Sequence, residues 1–407
     1  MQEGGSALWQ SATQELCESL CLVVETLYHW ECAMVKQTGS SAAKDASSRQ
    51  SFEAAPVCSL PVLALFLGGF SALLPALPRP YSANKGETEL AEYHFLRQQP
   101  KYGFSRPDAS PLSPGAVPSQ ASWEQINNVA GVLDTNLVEL ALENHSIGSG
   151  DSDGSSSRNG VIALGAFLLV VQLLARDHFN RSLGIAPPSQ WDATTAEHLL
   201  TKSMPMLLAG LSSKLPPTVS ASGAAAIGGA GALSNAALLW LMWCLGPLKG
   251  TRLQETLSLP LVQLLSSHAA LSPVASARHI SVKLLTDLLV HDMDESLALS
   301  EIKDLINDTT YPPLKAACVG LLKDAMDKKA GKEESLFWTR ETFDDILPTI
   351  LTSVGIPLPD TSNDAALEGS YSIAINAMEE RTSWISEVAH FLYFVAQRDT
   401  DNKVRML

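Results

Sequence analysis

Between Pro273 and Met326 the chain repeats its own pattern of apolar and polar positions. Ala277-Arg278-His279-Ile280-Ser281-Val282-Lys283-Leu284-Leu285-Thr286-Asp287 matches Leu314-Lys315-Ala316-Ala317-Cys318-Val319-Gly320-Leu321-Leu322-Lys323-Asp324 at an offset of 37 residues, sharing a basic residue, then Val, Leu-Leu and Asp. Pro273 precedes one copy and Pro312-Pro313 the other, which suits the start of a helix, where a missing N–H costs nothing. A second type of helix, from about Glu295 to Asn307, lies between them. Two helices per unit at a period of roughly 35 to 45 residues is the signature of an α-solenoid of the HEAT or armadillo kind. A two-helix unit cannot cover its own apolar face, so neighbours must stack and the inner helices line a concave surface open to a partner.

The same reading extends along the chain and predicts an all-α fold, an α-solenoid of HEAT/armadillo-like helical pairs with long disordered insertions. Residues 1–77 hold N-terminal helices: an amphipathic stretch from Ala7 to Lys36, a polar loop from Gly39 to Arg49, and an apolar run from Ser59 to Pro75. Residues 78–122 form a Pro/Ser-rich loop with a short helix from Glu87 to Arg97. Residues 123–211 hold helical repeats, with helices at Trp123–Glu143, Val161–Phe179 and Ala193–Leu211 and a flexible connector at His145–Gly160. A Ser/Gly/Ala loop at 212–232 leads to C-terminal HEAT-like repeats at 233–398. There the expected helices are Leu233–Leu245, Thr251–Ala270, the repeated pair, Thr342–Val354 and, after a loop from Gly355 to Glu368, Tyr371–Gln397. Ser59-Leu60-Pro61, Met204-Pro205, Ser258-Leu259-Pro260 and Leu347-Pro348 each open an apolar run, which suggests four Pro-led first helices of repeat units. Asp399 to Leu407 carries no terminal cap signal, so the array either ends abruptly or continues in a longer protein.

Composition narrows the function classes. The chain is 46% apolar and 17% charged, enough to bury a large core. Its net charge of -15 argues against direct nucleic-acid binding through phosphates and favours basic protein partners. Six cysteines in 407 residues are too few for a secreted disulfide framework, and Met1-Gln2-Glu3-Gly4-Gly5 lacks the basic start of a signal peptide. These features place the chain in the cytoplasm, with the nucleus as a second location. No charge occurs between Lys214 and Lys249, but the strongly apolar part, Ala236 to Leu248, is about half of the ~20 residues a bilayer requires. A buried core helix is the expected reading there, as for Pro61–Leu77 and Val161–Ala175, and an integral membrane protein the alternative.

No catalytic or cofactor motif survives inspection, and neither enzyme activity, cofactor nor metal is expected. Gly69-Phe70-Ser71-Ala72-Leu73 lacks the last Gly of an esterase elbow, and Gly229-Ala230-Gly231 lacks the third Gly of a dinucleotide loop. Asp151-Ser152-Asp153-Gly154 begins like a calcium loop without its later ligands. His291-Asp292-Met293-Asp294-Glu295 reads as an acidic helix junction rather than a metal site. Cys17 and Cys21 share a helix face, as core thiols or a redox pair. Candidate partner-binding residues are Arg278, Lys315, Arg340 and Arg381, basic groups on an acidic chain, and Trp338 and Trp384, a residue type enriched in binding hot spots. The alternative is that Trp384 packs between helices and the arginines are solvated.

Thr310-Tyr311-Pro312-Pro313-Leu314-Lys315-Ala316-Ala317-Cys318-Val319-Gly320-Leu321-Leu322-Lys323-Asp324 resembles a segment of the YAP-binding/glomulin family. The order of elements agrees, with a further helix, a loop and a long C-terminal helix following, and the similarity is concentrated in about Leu257 to Arg398. The resemblance implies a HEAT-like scaffold without catalytic activity. Fungal members bind a redox-regulated bZIP transcription factor in the oxidative-stress response. Glomulin binds the RING subunit of cullin-type ubiquitin ligases and blocks recruitment of the E2 enzyme. The expected function is therefore a non-catalytic adaptor that regulates a bZIP factor, with a cullin-RING ligase inhibitor or a generic HEAT-repeat scaffold as alternatives.

Overall fold

The structure, a computed structural model, describes residues 136–143, 155–175, 185–212, 225–272, 274–308, 311–329, 335–352 and 367–399, together with 19–24, 26, 91 and 95. Among these residues every regular element is helical, so the fold is all-α as expected. The expected helices and loops at 7–18, 27–77 and 123–135, the Asp151-Ser152-Asp153-Gly154 motif, Cys17, Pro61 and Pro273 lie outside the described residues. The chain divides into two compact units, up to Pro247 and from Leu248.

In the first unit, α1 (Leu137–Glu143) is opened by Asn136, whose side-chain carbonyl accepts from the Glu139 N–H at 3.0 Å. Helix α2 (Ser155–Ala175) is apolar from Ala163 onward except at Gln172, and Phe167, Leu169, Val171 and Leu173 are fully buried. Helix α3 spans Ala193–Leu211 as expected, because Asp192 accepts from the Thr195 N–H at 2.8 Å and fixes its start. Helix α4 (Ala225–Leu248) is buried from Ala236 to Leu245.

Aromatic packing centres this unit on Trp240. Its ring meets Phe167 at 5.6 Å, Trp191 at 5.4 Å and Trp243 at 6.5 Å between centroids, all edge-on. Its N–H donates to the Ser203 hydroxyl at 3.0 Å, which satisfies both polar groups inside the core. Ala91 and Phe95, from the short helix expected at Glu87–Arg97, are helical and buried, and the Ala91 N–H donates to Asn235 Oδ1 at 2.9 Å. The apolar stretch Ala236–Leu248 is thus core. Among the described residues no helix is long and apolar enough to cross a membrane.

Two loop boundaries differ from expectation. Helix α4 begins at Ala225, inside the expected Ser/Gly/Ala loop, where it extends the buried segment from Leu233 without a new nucleation cost. Helix α2 begins at Ser155, inside the expected connector at His145–Gly160, where serines sit at the helix start that suits them.

The second unit begins with a turn leading to α5 (Glu255–Leu271), which pairs with α6 (Ala275–Asp287). Helix α6 runs on into a π-helical turn, Leu288–Asp292, before α7 (Glu295–Asp308). Helix α8 (Pro312–Lys329) follows, then a 3-10 turn at Leu336–Trp338, α9 (Arg340–Thr352) and the long α10 (Leu367–Arg398). Helix α8 packs on α10 and α7, and α7 also meets α9. Within the repeat read in the sequence, Ser281 and Cys318, Leu284 and Leu321, and Leu285 and Leu322 are buried in both copies, whereas Val282 is half-buried where Val319 is buried.

The Pro-led reading of the first helices is corrected. Pro205, Pro260 and Pro348 lie inside α3, α5 and α9, not at their starts. Each removes one backbone donor within its helix, a fault that the packing of the flanking apolar residues offsets. Pro312, by contrast, is the first residue of α8.

The α5–α6 interface contains a buried polar pair. The Ser281 hydroxyl donates to the Ala277 carbonyl at 2.8 Å, so it must accept from His268 Nδ1 at 2.8 Å. Burial drives the imidazole from 6.5 down to about 4, and it is neutral at physiological pH. A depressed histidine contributes stability that is complete above its unfolded value and is lost as pH falls from 6.5 towards 4. Denaturant titrations across that range should show the loss, and His268→Gln should flatten it.

Two helical glycines should respond oppositely to alanine. A Cβ on Gly210 would meet the Ala237 Cβ at 2.9 Å and the Leu233 side chain at 3.2 Å, so Gly210→Ala should cost about 1–3 kcal/mol by overpacking. At Gly320 the nearest atom is a Glu387 carboxylate oxygen at 3.9 Å, so Gly320→Ala should stabilise by about 0.5–1 kcal/mol. Chemical denaturation of both variants checks the pair.

Candidate protein-binding surface

The 3-10 turn before α9 is built as a rigid presentation of aromatic and apolar groups. Phe337 is its anchor, fully buried. Glu295, the first residue of α7, accepts from the Ser335 hydroxyl at 3.3 Å and the Leu336 N–H at 3.1 Å, and pairs with Lys329 at 3.0 Å. Burial opposes the Glu295 charge, but Lys329 and the Leu336 N–H outweigh it and hold the carboxyl below its usual range. Thr342 donates to the Leu336 carbonyl at 2.7 Å, and Thr339 Oγ1 accepts from the Thr342 N–H at 3.3 Å. The turn is therefore tied to α7, α8 and α9 at once.

Trp338 stands on this turn, half-buried, with its indole N–H donating to the Met326 carbonyl at 2.9 Å and its ring 6.2 Å from Phe394 of α10. Leu336 beside it is 41% exposed, and Tyr393, next to Phe394, is 64% exposed. Arg340 is exposed and pairs with Asp344 one turn on at 3.4 Å. Trp338 and Arg340 are thus brought together at one edge, with Leu336.

The other candidates lie elsewhere. Arg278 is half-buried on α6 and donates to the Ser272 carbonyl at 2.8 Å, closing the C-terminal end of α5. Lys315 is half-buried in the first turn of α8. Trp384 is buried within the packing of α10, and its N–H has no partner. Arg381 lies on α10 with its side chain outside the described residues. An open polar groove of about 500 Å³ between the starts of α5 and α7 is lined by Arg252, Gln254, Glu255, Asp294, Ser296 and Ser300, and by none of the six candidates.

Among the described residues no group of three or more His, Cys, Asp or Glu side chains could hold a metal ion. Cys21, Cys244 and Cys318 are buried free thiols. Burial raises the Cys244 thiol and pushes Cys318 up to about 12, which suppresses the reactive thiolate. Asp292, in the acidic junction, is buried and receives the Gly250 N–H at 2.9 Å. Its signal was the crowding of acids at 292–295; its partner lies 42 residues away.

No curated protein and no solved structure matches the chain. The model of the uncharacterised protein family YAP/Alf4/glomulin matches residues 218–405. That stretch contains the helices from α4 to α10, the Trp338 turn and all six candidate residues, and it encloses the resemblance noted at Leu257–Arg398. Residues 218–405 are therefore the part of this chain that carries the YAP/Alf4/glomulin family pattern.

Proposed function

We propose that the chain is a non-catalytic protein-binding adaptor that regulates its partner by occupying a surface of it. The observation that carries this reading is the family match over 218–405. Its first-ranked partner is a redox-responsive bZIP transcription factor of the oxidative-stress response, whose basic region complements a chain of net charge -15. Because the matched family also bears the glomulin name, inhibition of a cullin-RING ubiquitin ligase is the second reading. The expected location for either role is the cytoplasm, with the nucleus second.

The Trp338 turn is the proposed contact point. A tryptophan whose orientation is already fixed loses little conformational freedom on docking, and such residues dominate interface energetics. Arg340 would orient an acidic group of the partner, while Arg278, Lys315, Arg381 and Trp384 would act by supporting the helices.

Titration calorimetry of the purified chain against a bZIP protein, and separately against a cullin–RING subunit, tests the reading. Binding to the bZIP protein should weaken with salt, as expected for opposed charges. Trp338→Ala should weaken binding to the true partner by about tenfold or more with helicity by circular dichroism retained. Arg340→Ala should have a smaller effect. Binding to neither partner, or a turnover activity abolished by one substitution, would overturn the proposal.

A further inference from the structure

Four contacts strap the turn after α4 to the last residue of α6, the end of the π-helical segment and the residue before α7. Lys249 pairs with Asp287 at 3.4 Å, and Arg252 with Asp294 at 2.7 Å. Between them the Gly250 N–H donates to Asp292 Oδ1 at 2.9 Å, and the Leu253 N–H to the Asp292 carbonyl at 2.8 Å. Gly250 takes φ 87°, which a side chain would resist. The strap lies just past Pro247, where the chain passes from its first compact unit to its second.

Asp292 is the centre of this strap and its least satisfied group. It is 1% exposed, and its Oδ2 is buried without a hydrogen-bond partner. The cations around it are committed elsewhere: Lys249 to Asp287, Arg252 to Asp294, Lys329 to Glu295, and Lys328 against the His291 ring. His291 itself faces Asp287 at 3.8 Å. A carboxylate left in this position has one oxygen without a donor and no cation of its own, a costly arrangement that protonation relieves.

We infer that Asp292 is a proton-operated latch on the turn at 249–253: neutral, it holds the turn closed against the π-helical segment, and ionised, it favours an opened turn in which the carboxylate reaches water. Burial pushes its carboxyl up to about 7, with Asp287 adding to the rise and the Gly250 N–H and Lys249 opposing it. A raised acid contributes closing free energy that is complete below its open-state value of 3.8 and is lost as pH rises through about 7. The change falls within the physiological range, and the wide π-helical turn is a local irregularity of the kind found at functional sites.

Hydrogen exchange of the full chain, read on the peptide containing Gly250 and Leu253 and corrected for intrinsic rates, tests the latch. Protection should fall about tenfold between roughly pH 6 and pH 8. Asp292→Asn, which keeps the shape without the charge, should give protection independent of pH. Equal protection of the wild-type peptide at both pH values, or pH dependence that persists in Asp292→Asn, would overturn the inference. Should that variant not fold, a carbon-13 NMR titration of the wild-type Asp292 carboxyl decides: a midpoint near neutrality supports the latch, and one in the ordinary carboxylate range overturns it.

Discussion

Helix α8 must bury more apolar surface than any single neighbour can cover, and the second unit follows from that constraint. Leu314, Cys318, Val319, Leu321, Leu322, Ala325 and Met326 are all buried, and they form one broad apolar face opposite the exposed Asp324, Asp327 and Lys328. At about 1.5–3 kcal/mol for each large aliphatic side chain taken out of water, leaving one side open would cost as much as a small domain's whole stability. Helix α10 covers one side, where Trp384, Val388, Phe391 and Val395 are buried, and Phe343 of α9 stacks on Phe391 at 6.2 Å. Helix α7 and the 3-10 turn close the rest through Ile302, Ile306 and Phe337.

Polar groups caught in this packing are each given a defined task. Glu295 holds the turn that carries Trp338, Arg278 finishes α5, and His268 joins α5 to α6 through Ser281. Asp292 differs because one of its oxygens is left over. The unit thus has a rigid edge suited to recognition and, at its first turn, a place where charge and packing conflict. A scaffold that works by binding needs the former; the latter is where its shape can respond to conditions.

The repeat was legible because its Leu-Leu pairs, Leu284-Leu285 and Leu321-Leu322, fall where the helices bury them, and a buried face must be written in apolar side chains. The start of helix α3 is fixed locally, because Asp192 supplies a cap that needs no tertiary partner. The proline signal misled for a physical reason: Pro260 or Pro348 in an apolar run has the same local neighbours whether it opens a helix or sits within one. The packing of Trp384 between helices, the alternative to its role as a contact residue, is what the structure shows. Trp338 and Trp384 are alike in sequence, yet the first stands on a turn at an edge and the second lies beneath neighbouring helices. The burial of Asp292 stayed hidden because it depends on Gly250, far away in the chain.

The central claim is that α8 and α10 stabilise each other as one cooperative body, on which the Trp338 edge is carried. Native-state hydrogen exchange under increasing denaturant measures this most directly. The amides of α8 and those from Trp384 to Val395 of α10 should converge on the same opening free energy. Exchange of the α10 amides through a separate, much lower-energy opening, with α8 still protected, would contradict it.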